Sequence, residues 1–122
     1  MFRGEKINKT ENRSVLHVAL RMQRDQSVEE VPDAVENVHK VLDRISAFSD
    51  KVRSGLHKGH TGKNLRNFII IGIGGSHLGS EYIFEALRQD ASAKAASEGF
   101  TLRFLANADP VDLHRAVHGL SM

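Results

Sequence analysis

The sequence predicts an α/β fold: a parallel sheet entered from two helices. Three observations carry that prediction. Phe68-Ile69-Ile70-Ile71 is an unbroken apolar run, as strands of parallel sheets carry because both of their faces are covered. A glycine-rich turn, Gly72-Ile73-Gly74-Gly75, follows at once, and then Leu78, Tyr82, Ile83, Ala86 and Leu87 recur at helical spacing. A second strand-like run, Thr101 to Ala106, leads into Asp109-Pro110 and more helical sequence. Strand and helix therefore alternate through residues 64–122, whereas residues 1–56 read as helical.

Taken in order, Thr10 is placed to cap a first helix carrying Val15, Leu16, Ala19 and Leu20 on one side. The polar stretch Gln23 to Glu30 interrupts it. Pro32, at a first helical position, opens a long second helix with Val35, Val38, Val41, Leu42, Ile45, Phe48 and Val52 at threes and fours, and Gly55 is its stop. After the loop from Leu56 to Lys63 come the first strand, the glycine turn and a helix capped by Ser76. The small-residue stretch Ala91 to Gly99 reads as a surface loop or frayed turn. Thr101 to Ala106 forms the second strand, and Asp109 caps a last helix with Pro110 at its first position. Two strands are too few for a stable parallel sheet, so Ile69, Ile71, Leu102 and Phe104 are expected to be partly exposed.

Strand, glycine turn and helix N-terminus bring free backbone N–H groups and a positive dipole end to one point, an anion site. Spacing narrows the anion. A G-x-G-x-x-G fingerprint from Gly72 needs glycine where His77 stands. A G-x-x-x-x-G-K-[ST] loop from Gly74 reaches Gly79 but then meets Ser80-Glu81. Gly59-His60-Thr61-Gly62-Lys63-Asn64 holds Gly-Lys with its glycines too close together. The pattern favours a small phosphorylated ligand held by amides and the Ser76 hydroxyl, with Gly75 leaving room for it; nucleotides come second. A side chain at Gly75 would block the ligand and strain the turn. A turn that merely joins strand to helix is the alternative.

Composition frames these readings. The 122 residues suit one domain with a modest core. Net charge is only +2 and the basic residues are scattered, which argues against a nucleic-acid partner. No cysteine is present, so disulfides and thiolate metal sites are excluded. No apolar stretch reaches membrane-spanning length and no apolar signal core opens the chain, so no membrane partner is expected and a cytoplasmic location is the default. Of the seven histidines, His114 and His118 have ligand spacing without a carboxylate to complete a set, so no metal is expected. His57 and His60 read as loop residues, His17 as a core or boundary histidine and His77 as surface packing. Glu29-Glu30 would complement a helix dipole, and Glu81 and Glu85 read as a solvated face.

Three blocks then stand together. They are Gly4-Glu5-Lys6-Ile7-Asn8-x-Thr10-Glu11-Asn12-Arg13-x-Val15-Leu16-His17-x-Ala19-Leu20-Arg21, Lys58-Gly59-His60-Thr61-Gly62-Lys63, and Ile71-Gly72-Ile73-Gly74-Gly75-Ser76-x-Leu78-Gly79. In order and spacing they closely resemble the glucose-6-phosphate isomerase family, over essentially the whole chain. The resemblance implies an aldose–ketose isomerase acting on glucose 6-phosphate and fructose 6-phosphate in glycolysis and gluconeogenesis, without a cofactor. It implies the start of a doubly wound parallel-sheet sugar-isomerase (SIS) domain preceded by two helices: residues 1–122 a partial domain, 1–56 a helical lead-in, 64–122 a β-α-β-α start. The family's Gly-Ser contact with the sugar phosphate falls on Gly75 and Ser76.

The family polypeptide is several times longer and works as a homodimer. Its phosphate-gripping Ser-Lys-Thr-x-x-Thr loop, catalytic glutamate, enediolate-stabilising arginine and ring-opening histidine and lysine would lie past Met122. The chain is therefore expected to be a fragment with no catalytic residue of its own. His57 stands where the family commonly has Trp, and His77 where an acidic or small residue is frequent. A stand-alone sugar-phosphate-binding regulatory domain and a nucleotide-binding module are the other readings. The Gly4 to Arg21 block counts against the first and the missing fingerprint glycine against the second.

Overall fold

The computed structural model describes residues 1–120; Ser121 and Met122, to which the last helix was expected to run, lie outside the described residues. The chain forms two compact units, Met1–His57 and Lys58–Met122.

In the first unit the helix expected from Thr10 does not form. Asn8 and Arg13 exchange backbone hydrogen bonds of 3.2 and 3.1 Å, and the Asn8 carboxamide takes the Glu11 N–H at 3.2 Å. Asn12 turns the chain at φ 51°. Asparagine offers the backbone these local partners in competition with a helix, so only a 3₁₀ turn, His17–Arg21, remains. Ala19 from that turn meets Val28 and Val35 in a small core, with Leu16, Met22, Ala34 and Val38 packed around it. His17 is exposed instead of lining this core. Gly4, at φ 89°, approaches so closely that a Cβ there would lie 2.8 Å from Val28 Cγ1. Beside it the Arg3 guanidinium pairs with Glu29 at 2.8 Å. Glu29 is thus tied to Arg3, and Asp33 and Glu36 supply the first-turn acids of the helix that follows.

That helix, α1 (Asp33–Arg53), starts directly after Pro32, whose φ of −59° is already helical. It ends at Ser54, with Gly55 in the left-handed region at φ 73° and its N–H on the Val52 carbonyl. Val35 and Val52 of its apolar stripe are buried. Val41, Leu42, Ile45 and Phe48 are about half exposed.

In the second unit β1 (Asn67–Ile71) pairs in parallel with β2 (Thr101–Leu105), Asn67 opposite Thr101 and Ile71 opposite Leu105. Between them run α2 (Gly75–Leu87) and α3 (Ala91–Ala96), and after β2 comes α4 (Pro110–Val117). The stretch read as a surface loop is α3: alanine is the strongest helix former, and the Asp90 carboxylate caps it by accepting the Ala93 N–H at 2.8 Å. Asp109 caps α4 by accepting the Val111 N–H at 2.7 Å, with Pro110 at the first position as the sequence predicts. Arg103 of β2 closes the other end of α4, donating to the carbonyls of Arg115 (3.1 Å) and His118 (2.8 Å).

Helix α2 departs from the expected face. Tyr82 is 74% exposed and Leu78, Ile83 and Leu87 are exposed as well, while His77, Glu81 and Phe84 are the half-buried positions. Phe84 and Phe104 meet edge to face, ring centroids 5.8 Å apart. An α2 with apolar residues on more than one side can turn either to a two-stranded sheet, and the aromatic pair sets the choice. Of the strand residues expected to be partly exposed, Ile71 is open and Ile69, Leu102 and Phe104 are half-buried.

Candidate functional site

The glycine turn is built from three glycines with separate tasks. Past Ile71 the Gly72 N–H continues the ladder, donating to the Leu105 carbonyl at 3.1 Å. A Cβ on Gly72 would lie 2.9 Å from Ser76 Cβ and 3.0 Å from the Ser76 carbonyl carbon and oxygen, so only glycine lets the helix start back up against the strand end. Gly74 adopts φ 58°, ψ −126°, a conformation closed to side-chain-bearing residues. Gly75 opens the helix, with no atom within 4 Å of a Cβ placed on it. Its φ is not left-handed. The strained glycine is therefore Gly74, and Gly75 contributes only room.

Ser76 is consequently the second residue of α2 and not its cap. No side chain caps this helix, and its first turn carries no acidic residue. The Ser76 N–H is taken by the Ile73 carbonyl at 3.2 Å, and those of His77 and Leu78 by the Gly74 carbonyl at 3.2 and 3.1 Å. Among the described residues the Gly75 N–H and the Ser76 hydroxyl carry no hydrogen bond. The turn thus presents one amide, one hydroxyl and an uncompensated positive helix end over open space. In α3 and α4 the same end is occupied by Asp90 and Asp109.

His77 is not at the surface. Its side chain is 12% exposed, Nε2 lies 3.3 Å from the Glu81 carboxylate and Nδ1 is buried without a partner. The Glu81 side chain keeps 41% of its surface open, and Glu85 is exposed, as the solvated-face reading expects. Spacing alone could have shown the pair, since residues 77 and 81 stand one turn apart. His57 lies against Phe48, centroids 5.1 Å apart, and His60 is exposed in a turn closed by Gly59 and Lys63. The His114 and His118 rings are 5.3 Å apart. No group of three histidine, aspartate or glutamate side chains gathers for a metal among the described residues.

A second turn, Ala106 to Asp109, follows β2 and was not singled out as functional in the sequence. Asp112 organises it: its carboxylate, 15% exposed, accepts the N–H groups of Ala106 (2.9 Å) and Asn107 (3.0 Å) and pairs with Arg115 at 2.6 Å. The signal lay in an acidic residue three positions after a cap. Arg115, then these two amides, hold the Asp112 carboxyl below the usual carboxylate range. A lowered native pKa adds stability in full above the ordinary value near 4 and loses it as pH falls through the folded value. Asp112→Asn is expected to narrow the gap between urea midpoints measured at about pH 6 and about pH 3. Part of the gap should survive, because Asp43 (beside Arg24) and Asp90 (bonded to Ser92 and Ala93) are lowered too. An unaltered gap would show that Asp112 is not a source of the acid sensitivity.

The phosphoglucose isomerase family model matches residues 1–122. The chain belongs to the phosphoglucose isomerase family. Among similar proteins, the cytosolic glucose-6-phosphate isomerase of Arabidopsis thaliana is 52% identical over 122 residues, covering 99% of this chain and 22% of the relative. The spinach (Spinacia oleracea) cytosolic enzyme is 49% identical with the same coverage. Glucose-6-phosphate isomerase 1 of Streptomyces coelicolor is 50% identical over 121 residues, 98% of this chain and 21% of the relative. The chain thus spans about a fifth of the curated relatives it matches. No helix among the described residues is long and apolar enough to cross a membrane.

Proposed function

We propose that this chain is the part of a glucose-6-phosphate isomerase that receives the sugar phosphate at Gly75 and Ser76, in an enzyme interconverting glucose 6-phosphate and fructose 6-phosphate. One observation carries the reading: the family match runs through the turn where the uncapped α2 leaves the Gly75 amide and Ser76 hydroxyl free. A phosphate placed there meets the positive end of a helix, one N–H and one O–H, with no side chain at Gly75 to exclude it. In this reading residues 64–122 are the β-α-β-α part of a doubly wound sugar-isomerase (SIS) sheet and residues 1–56 its helical lead-in. The chain binds and orients the ligand. The proton transfer between C1 and C2 belongs to residues elsewhere in a homodimeric, cytoplasmic enzyme.

The test uses a hybrid: the cytosolic Arabidopsis relative with its matching segment replaced by these 122 residues. Ser76→Ala in the hybrid is expected to raise KM for fructose 6-phosphate roughly 10-fold or more, the loss of one hydrogen bond to a charged group. The thermal midpoint should hold, since Ser76 caps nothing. Gly75→Val should keep the fold, because space and backbone angles allow it, and abolish binding. A Ser76→Ala hybrid with unchanged KM and a lowered midpoint would reduce the residue to a structural part.

A further inference from the structure

The two turns at the carboxyl ends of β1 and β2 are side by side, yet they differ in charge. Ile71 stands opposite Leu105, and the Gly72 N–H reaches the Leu105 carbonyl at 3.1 Å. Parallel neighbours lie about 4.8 Å apart, so the residues leaving the strands, Gly72 to Ser76 and Ala106 to Asp109, share one sheet edge. In open α/β sheets that edge is where ligands lie. The α2 end is bare and positive. The α4 end is already compensated: Asp109 caps it by accepting the Val111 N–H, Asp112 lies in its first turn, and the Asp112 carboxylate also takes the Ala106 and Asn107 amides of the preceding turn. A phosphate is favoured at the first turn and disfavoured by two carboxylates at the second.

Asn107 is the neutral polar side chain in that second turn. It is exposed, its Oδ1 accepts the Asp109 N–H at 3.2 Å, and its backbone N–H is fixed by Asp112 at 3.0 Å. With the oxygen taken, the two Nδ2 hydrogens remain to donate, and no protein partner claims them among the described residues. A carboxamide donor flanked by carboxylates suits an uncharged acceptor, such as a hydroxyl. We propose that Asn107 is a specificity-determining residue that donates to a hydroxyl of the ligand's sugar chain while the phosphate lies at Gly75 and Ser76. The inference rests on the binding role assigned above to those two residues.

Inorganic phosphate separates the two turns, because it carries the charge and lacks the hydroxyl chain. In the hybrid enzyme, Asn107→Ala is expected to raise KM for fructose 6-phosphate about fivefold, one neutral hydrogen bond, and to leave the inhibition constant of inorganic phosphate unchanged. Ser76→Ala is expected to weaken both. If Asn107→Ala weakens phosphate as much as sugar phosphate, the residue only shapes the sheet edge and the inference is overturned. An unchanged KM overturns it equally. If Ser76→Ala leaves both constants at parental values, the binding role of the glycine turn fails, and the inference that rests on it falls too. Asn107→Gln tests orientation, since a displaced carboxamide should not restore KM for fructose 6-phosphate.

Discussion

Pure 122-residue chain is expected to give no fructose 6-phosphate turnover above buffer in a coupled assay. Moving a proton between neighbouring carbons needs a base within hydrogen-bond reach and with a pKa near the working pH. Enzymes of ordinary power exceed the uncatalysed rate by about a millionfold or more, so the loss is visible without subtle kinetics. The candidates in this chain are spent elsewhere. His77 and Glu81, 3.3 Å apart, form the one histidine–carboxylate pair within 4 Å among the described residues, but the ring is nearly sealed and its Nδ1 is buried. Asp109 and Asp112 accept backbone amides, and Asp112 also holds Arg115. What is left at the glycine turn, an amide and a hydroxyl, can orient a phosphate without taking a proton from carbon. Turnover above the buffer control would overturn this, and its loss on His77→Ala would name the base.

The parts of the fold legible in the sequence were those fixed by short-range physics. Asp109 with Pro110 and Gly55 after α1 each act through their own backbone neighbours, and each is found where the pattern puts it. The misreadings share a different cause. Val15, Leu16, Ala19 and Leu20 have helical spacing, yet Asn8 closes a local turn that the periodicity cannot see. Ser76 is a good cap by type, but the absence of a Cβ at Gly72 lets the helix begin two residues earlier, under Gly74. The face of α2 was set by a partner, Phe104, some twenty positions away in sequence. Of the proposed site, Gly75 and Ser76 are named by the glycine pattern and the family resemblance together. Asn107 is not, because its place beside them follows from strand register.

Gly72→Val should damage stability and binding together, and Gly79→Ala is its matched control. A Cβ at Gly72 would meet Ser76 at 2.9 Å and the Ser76 backbone at 3.0 Å. Backbone cannot rotate away as a side-chain tip can, so the first turn of α2 must shift. Overpacking of this kind costs on the order of 1–3 kcal/mol. The shift also moves the Gly75 amide and the Ser76 hydroxyl together, and a displacement of about 1 Å in a positioning group can cost about 100-fold. In the hybrid enzyme both the urea midpoint and the affinity for fructose 6-phosphate should fall. Gly79 lies within the same helix with no atom within 4 Å of a Cβ. Alanine there removes backbone freedom from the unfolded chain and should add about 0.5–1 kcal/mol with no change in KM. The pair therefore distinguishes a glycine required by contact from one that is merely tolerated. If Gly72→Val left the midpoint and KM at parental values, the close approach of strand end and helix would not be what places the Gly75 amide and the Ser76 hydroxyl.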